Sequence, residues 1–290
     1  MYIYLDDGLV SESEAKVSVY DHGFLYGDGI YETMRAYEGV VFMIDEHIRR
    51  LERSASLIML HIPPPQYIID AVFQTLRANS LSDAYIRITV SRGKGPIGLD
   101  PALCPRPTLV IISEKFQQYP ETYYKNGVNL IISRVVRNHI MAINPMIKSL
   151  NFLNNVLAKS EAKERGAYEA IMLNSDGVIT EGTVCNIFFI KDGKLYTPSV
   201  DAGILDGITR NIVMGLAVKA GIEVREGMFY PSDIFGAEEV FFTNTTAEVM
   251  PVSRVEDVEY RRGEISEMLR RRYGSEVARY INEAKARQEI

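Results

Sequence analysis

The sequence predicts an α+β fold in two units, and three observations carry that reading. Strand-like runs rich in β-branched residues, among them Tyr85 to Val90, Thr108 to Ile112 and Val128 to Ser133, are interrupted by isolated helical patterns instead of alternating with them one for one. The one Gly-x-Gly-x-x-Gly after a strand, Gly93 to Gly98, contains a proline and runs into Leu-Asp-Pro101 with no helical pattern behind it, which argues against a dinucleotide-binding sheet. The chain has 290 residues, enough for two cores of ordinary size.

The elements follow in order. Asp45 is placed to cap a helix whose apolar residues Ile48, Leu51, Ala55, Ile58 and Met59 share one face, and Pro63-Pro-Pro65 stops it. A second helix is expected near 66–79, followed by the strands at Tyr85 and Thr108. The polar segment Gln117-Gln-Tyr-Pro-Glu-Thr122 marks the boundary. A smaller N-terminal α/β domain is therefore expected over 1–118, a linker over 119–126 and a larger domain over 127–290. In the larger one a strand (Val128 to Ser133), a helix from Ser149 to Arg165 stopped by Gly166, a hairpin-rich region, a helix from Thr209 to Ala220 stopped by Gly221, and a last helix from Glu264 are expected.

Composition narrows the function. Hydrophobic residues make up 47% and charged residues 24%, the profile of a soluble globular protein. A net charge of −6, with a pI near 5.4, argues against broad nucleic-acid binding. No apolar run is long enough to span a bilayer, and the opening Met-Tyr-Ile-Tyr-Leu-Asp-Asp carries no signal-peptide pattern, so a cytoplasmic protein without membrane partners is expected. Two cysteines, Cys104 and Cys185, offer no disulfide framework. Four scattered histidines (His22, His47, His61 and His139) lack metal-ligand spacing, so no metal is expected.

Several segments carry chemistry. Asn144-Pro-Met-Ile-Lys148-Ser-Leu-Asn-Phe-Leu-Asn-Asn155 sets one lysine among apolar neighbours at a helix entrance. An apolar setting favours the neutral, nucleophilic amine that condenses with an aldehyde cofactor, although a solitary lysine is ordinarily a solvated surface charge. Leu205-Asp-Gly-Ile-Thr-Arg210 leads a Gly-containing turn into a helix N-terminus, where Gly207 permits close approach and Thr209 adds a hydroxyl. Such a terminus suits phosphate; taken alone it reads as a turn with a Thr cap. Val240-Phe-Phe-Thr-Asn-Thr-Thr-Ala-Glu248 ends a strand in hydroxyl and amide groups, again either an anion site or a polar loop. Glu181, within Gly177-Val-Ile-Thr-Glu181-Gly-Thr-Val-Cys-Asn186, sits in an otherwise apolar strand. It either faces solvent or needs a cationic or hydrogen-bonding partner, such as a protonated pyridine nitrogen. Arg49, Arg50 and Arg53 form a solvated helix face or supply a phosphate clamp. Tyr20 to Arg35 is aromatic and Gly-rich, as core or as a small-molecule pocket.

Taken together and in this order, from Tyr20 to Val252, these segments resemble the fold-type IV pyridoxal phosphate enzymes, which include branched-chain amino-acid aminotransferases, D-amino-acid aminotransferases and aminodeoxychorismate lyases. The resemblance implies the two-domain D-amino-acid aminotransferase-like fold and pyridoxal 5'-phosphate as cofactor. It implies that Lys148 binds the cofactor and acts as the catalytic base, that Glu181 partners the pyridine nitrogen, and that Arg50 with Gly207, Ile208, Thr209 and Thr245 forms the phosphate cup. Asn186 and Phe152 fall among the cofactor contacts. Ala84-Tyr-Ile-Arg87 and Arg92-Gly-x-Gly-Pro-Ile-Gly-Leu-Asp-Pro101 are similar to the branched-chain group. There Tyr85 and Arg87 face the substrate, Arg87 taking the second carboxylate of 2-oxoglutarate, while Tyr26 and Tyr31 line the pocket and amides near Thr246 and Ala247 hold the α-carboxylate.

No Arg-x-His of the D-amino-acid enzymes follows Gly93. Two departures stand out: Thr33 where the branched-chain pattern Phe-Glu-Gly-x-Arg has Gly, and Phe152 where many relatives have a tyrosine. The expected activity is transfer of the amino group of L-branched-chain amino acids to 2-oxoglutarate by a homodimer or higher oligomer. D-amino-acid transamination, the lyase reaction and a catalytically idle cofactor-binding protein are the alternatives.

Overall fold

Alternation along Ala84–Ser91 and, broken by Glu32, along Gly29–Tyr37 gives two strands that each send one face to the core, and pairing them builds the first sheet. The structure is a computed structural model and describes residues 1–288. Its contacts divide the chain into two units, the first comprising Met1–Gln117, Ile147–Asn151 and the stretch beginning at Arg279, the second Gln118–Met146 and Phe152–Ala278.

In the first unit, strands β1 (Tyr2–Leu5), β2 (Gly8–Ser11), β3 (Gly29–Tyr37), β4 (Val40–Val41), β5 (Ala84–Ser91) and β6 (Thr108–Lys115) form a sheet in the order β2-β1-β6-β5-β3-β4, antiparallel throughout. The short helix α1 (His22–Tyr26) precedes β3, while α2 (Ile44–Leu57) and α3 (Pro65–Ala78) supply the apolar partners of one sheet face. Ile30, Met34, Ile86 and Ile88 are buried there with Ile48, Leu51, Ile68 and Val72. Helix α2 begins at Ile44 after Met43 in a left-handed conformation, with Asp45 in its first turn and no side-chain cap. An acidic residue there still suits the helix dipole. Ile58 and Met59 fall beyond the helix, and Met59 is 76% exposed. Pro65, expected only to block the first helix, is the first residue of α3, where a missing N–H costs nothing.

In the second unit, β7 (Val128–Ile132), β8 (Glu169–Leu173), β9 (Ile179–Gly182), β10 (Asn186–Lys191), β11 (Lys194–Pro198), β12 (Val224–Gly227), β13 (Glu239–Asn244) and β14 (Glu248–Val255) run in the order β12-β11-β10-β13-β14-β7-β8-β9, with β15 (Val258–Glu259) beside β14. The sheet is mixed: β11–β12, β14–β7 and β7–β8 are parallel. Its helices are α4 (Glu121–Asn126), α5 (Leu153–Glu164), α6 (Ile208–Lys219) and α7 (Pro231–Phe235). The stretch 119–126 contains α4, and its tyrosines Tyr119, Tyr123 and Tyr124 pack on this unit's core.

The helix expected from Ser149 starts at Leu153. Residues before it are committed elsewhere: Tyr31 N donates to Lys148 O (2.9 Å), Leu150 N to Gly29 O (2.9 Å), and Ser149 bridges Ile30. The lysine segment is thus an extended strip laid along the start of β3.

The last helix, α8 (Glu264–Gln288), has a long-range cap. Glu239 on β13 is buried, and its carboxylate accepts from Ile265 N (3.1 Å) and Ser266 N (2.8 Å), satisfying first-turn donors that have no helical partner. A Cβ on Gly263 would lie 1.5 Å from Glu239 Cδ, so the glycine makes room for that carboxylate. Glu239→Ala is expected to cost about 0.5–2 kcal/mol in urea unfolding. Gly263→Ala should cost a similar amount and add little to Glu239→Ala, because both remove one cap.

Candidate active site

The candidate residues fall into two groups, one in each unit. In the first unit the pleat of β3 sends adjacent side chains to opposite faces. Glu32 lies on the face that also buries Ile30 and Met34, and is fully buried. A carboxylate there demands compensation, and α2 provides it from one face, where residues three and four apart are neighbours. Arg50 donates from Nε to Glu32 Oε1 (2.7 Å) and from Nη2 to Oε2 (2.8 Å), and His47 Nδ1 donates to Oε2 (2.8 Å). One turn further along α2, Ser54 Oγ accepts from Lys148 N (3.2 Å). Burial pushes the Glu32 carboxyl upward, but Arg50 and His47 outweigh it and hold it well below the usual carboxylate range. Burial pushes the His47 imidazole down, Glu32 opposes this, and the charges of Arg50 and Lys148 add to the lowering. Arg49 by contrast is 68% exposed and pairs with Glu46.

On the opposite face, Thr33 pairs with Arg87 and Arg35 with Tyr85 across β3 and β5. The Arg87 guanidinium carbon is 4.1 Å, and Lys148 Nζ 4.5 Å, from the centroid of the Tyr31 ring. Lys148, Tyr31 and Arg87, expected separately as cofactor and substrate residues, are therefore gathered on one ring. Burial drives the Tyr31 hydroxyl well above the ordinary tyrosine range, with Arg87 opposing. Tyr26 has other partners: its hydroxyl accepts from Gly98 N (3.2 Å) and its ring stands edge-on to His22.

In the second unit Glu181 lies on β9, buried. Its Oε1 accepts from Arg137 Nη2 (2.9 Å) and Nε (3.2 Å), and its Oε2 accepts from Leu205 N (3.1 Å) and Asn186 Nδ2 (3.3 Å). Arg137 also reaches Asn155 Oδ1 (3.2 Å). Asn186 Nδ2 donates to Leu205 O (2.9 Å), tying the chain just before α6 to β10. Gly207 is the N-cap of α6 without a side-chain cap, so Ile208 and the buried Thr209 open the helix. A Cβ on Gly207 would lie 2.0 Å from Asn186 Oδ1, which makes glycine the residue that permits this approach. Between β13 and β14, the amides of Thr246 (3.0 Å) and Ala247 (2.7 Å) donate to Asn244 Oδ1, and Thr246 Oγ1 shares a hydrogen bond with Tyr119. Thr245 is the first residue of that turn. Phe152 is the half-buried N-cap residue of α5.

Glu32, His47, Ser54, Arg137 and Asn155 are polar partners that the sequence reading did not single out. Glu32 had a signal, a charge on the same strand face as Ile30, Met34 and Ala36. His47, Arg50 and Ser54 had one too, polar residues at helical spacing beside an apolar stripe. Arg137 had none, being 44 positions from Glu181.

The donor sets suit pyridoxal phosphate. The second unit has an α6 terminus uncapped behind Gly207 and a buried carboxylate at Glu181, and the first has an amine at Lys148 beside an aromatic ring, the group types that phosphate, a pyridinium N–H and an aldehyde call for. Glu32→Gln is expected to destabilise the protein by about 3–5 kcal/mol at pH 7 in urea unfolding, because Arg50 is left buried without its counter-charge. Glu32 and His47 both have lowered values in the fold, so their contribution is complete above about pH 6.5 and declines as the pH falls. The wild type should therefore lose stability on acidification, and Glu32→Gln should lose it less steeply below about pH 5.

Residues 29–255 match the family model "Amino-transferase class IV". A Methanocaldococcus jannaschii protein called "Putative branched-chain-amino-acid aminotransferase" is 47% identical over 88% of both chains. A D-alanine aminotransferase of Staphylococcus epidermidis is 34% identical over 92% of this chain and 94% of its own. Among solved structures, the holo-form of the branched-chain amino acid aminotransferase from Thermobaculum terrenum, with pyridoxal phosphate, superposes with a TM-score of 0.84 at 28% identity, covering 95% of this chain and 93% of the other. The chain belongs to the class IV aminotransferases, enzymes that work with pyridoxal 5'-phosphate.

Proposed function

We propose that this aminotransferase moves the amino group of L-leucine, L-isoleucine or L-valine to 2-oxoglutarate. The observation that carries this substrate pair is Arg87, a cation seated on the Tyr31 ring that also holds Lys148, which suits it to the second carboxylate of a dicarboxylic oxo acid. The name of the Methanocaldococcus jannaschii relative supports the same reading.

Pyridoxal phosphate, when bound, supplies the electron sink that stabilises the carbanion left as the α-proton departs. Lys148 Nζ would take that proton as general base and, as ammonium, would give it up as general acid at a carbon other than the one it left. Glu181 keeps the pyridine nitrogen protonated, with Arg137, Asn186 and Leu205 N fixing its carboxylate. Arg50 in the first unit, and Thr245 with the Ile208 and Thr209 end of α6 in the second, would hold phosphate. Phe152 contributes a ring without a hydroxyl. Tyr26, Tyr31, Thr33 and Tyr85 line the side-chain pocket, Thr33 adding bulk where relatives carry glycine. Thr246 and Ala247 receive the α-carboxylate by exchanging it for Asn244 Oδ1, their present acceptor.

A cytoplasmic homodimer accompanies this reading. Phe24 and Leu99 are exposed to 74% and 82%, apolar surface of the kind that association covers, and no helix among the described residues is long and apolar enough to cross a membrane.

D-amino-acid transamination is the second reading, favoured by the Staphylococcus epidermidis relative. Cofactor-loaded protein should lose its visible cofactor band on addition of L-leucine and keep it with D-alanine; the reverse pattern would establish the second reading. Lys148→Ala should abolish steady-state transamination, and turnover persisting in that variant would refute the assigned base.

A further inference from the structure

Tyr31 carries two cations on one ring. Its ring is 6% exposed, with Lys148 Nζ 4.5 Å and the Arg87 guanidinium carbon 4.1 Å from the centroid. Both positions fall within the reach of a cation–π attraction, which strengthens as water is excluded. Two positive groups this close to one centroid also lie nearer each other than about 10 Å, the screening length at 0.1 M salt, so each raises the cost of the other's charge. Charged and titratable groups that act on the Tyr31 hydroxyl besides Arg87 include Tyr85 on β5, Glu32 on β3 and Arg50 on α2, and His47 on α2 contacts Glu32. Glu32 is bound to Arg50 and His47, and Arg87 is a cation that shares the ring with the lysine.

We propose that Tyr31 is a positioning residue that holds the Lys148 amine and Arg87 on one aromatic ring, so that a carboxylate arriving at Arg87 raises the proton affinity of Lys148. The inference rests on the roles proposed above for Lys148 and Arg87. Anion binding at Arg87 removes the opposing charge while the ring continues to attract the ammonium. By linkage, protonation of Lys148 then favours the anion in return. A carboxylate would thus be recognised and the lysine brought toward its proton-bearing form in one event. The phenolic oxygen is dispensable; the ring is what acts.

The test is the pH profile of Lys148 acetylation by acetic anhydride, read by mass spectrometry on the full-length chain freed of cofactor, with and without glutarate as an unreactive dicarboxylate. Tyr31→Phe should match the wild type. Tyr31→Leu should lower the midpoint by about 0.4–0.7 of a pH unit, a loss of proton affinity of about 2.5- to fivefold. Arg87→Gln should raise the midpoint. Glutarate should raise it in the wild type and leave Arg87→Gln unmoved. A Tyr31→Leu midpoint equal to that of the wild type would overturn the proposal, as would a wild-type midpoint indifferent to glutarate. If Tyr31→Leu does not fold, the Arg87→Gln and glutarate comparisons decide the matter. Failure here with Lys148→Ala inactive sinks only this coupling, whereas turnover in Lys148→Ala sinks the reading beneath it.

Discussion

A carboxylate buried on the core side of a sheet governs the first unit. Glu32 occupies a position that alternation assigns to an apolar side chain, and the cost of ionising it there is met by Arg50 and His47 from α2. That requirement pins α2 to β3 with three polar contacts among the apolar ones and fixes the rotation of the helix about its own axis. Once the rotation is fixed, Ser54 faces the lysine strip and accepts from its backbone. The backbone of Lys148 is therefore held by bonds to β3 and α2.

The pleat divides labour between neighbours. Glu32 turns inward to hold a helix, and Tyr31, one residue away, turns outward to gather Lys148 and Arg87. Slippage of β3 by one residue would place an ionised group on the wrong face of the sheet and expose its apolar partners. The second unit solves a similar problem differently. Glu181 is also a buried carboxylate, but its partners are drawn from a loop after β7, from β10 and from the backbone before α6, so its site is built by convergence of segments distant in sequence.

Much of this was legible in the residues, and the limits have physical causes. Lys148 and Glu181 stand out because each interrupts an apolar run, and a charge in such a place needs a reason. Gly207 stands out because it precedes a helix, and its crowded approach to Asn186 supplies the reason. Helix existence was readable from periodicity, but the start of α5 was not: Ser149 to Asn151 have acceptable helical composition, and only tertiary pairing with β3 withholds them. The Arg137–Glu181 pair is a contact across 44 positions, which no local pattern encodes. The sequence displays the donors of the turn at Thr246 and Ala247, whereas their acceptor, Asn244 Oδ1, is a local side-chain closure that depends on turn geometry.

The lysine strip has a consequence for the order in which the protein is made. Ile147–Asn151 belongs to the first unit although residues 118–146 of the second precede it, and the end of α8 returns to that unit as well, with Tyr280 packed edge-on against Phe42 and Lys285 paired with Glu38. A nascent chain that has emerged only as far as Gln117 holds the complete sheet but neither of these closing pieces. The N-terminal unit is thus begun first and finished last, and the segment bearing the amine takes its place in a framework that awaits the final helix.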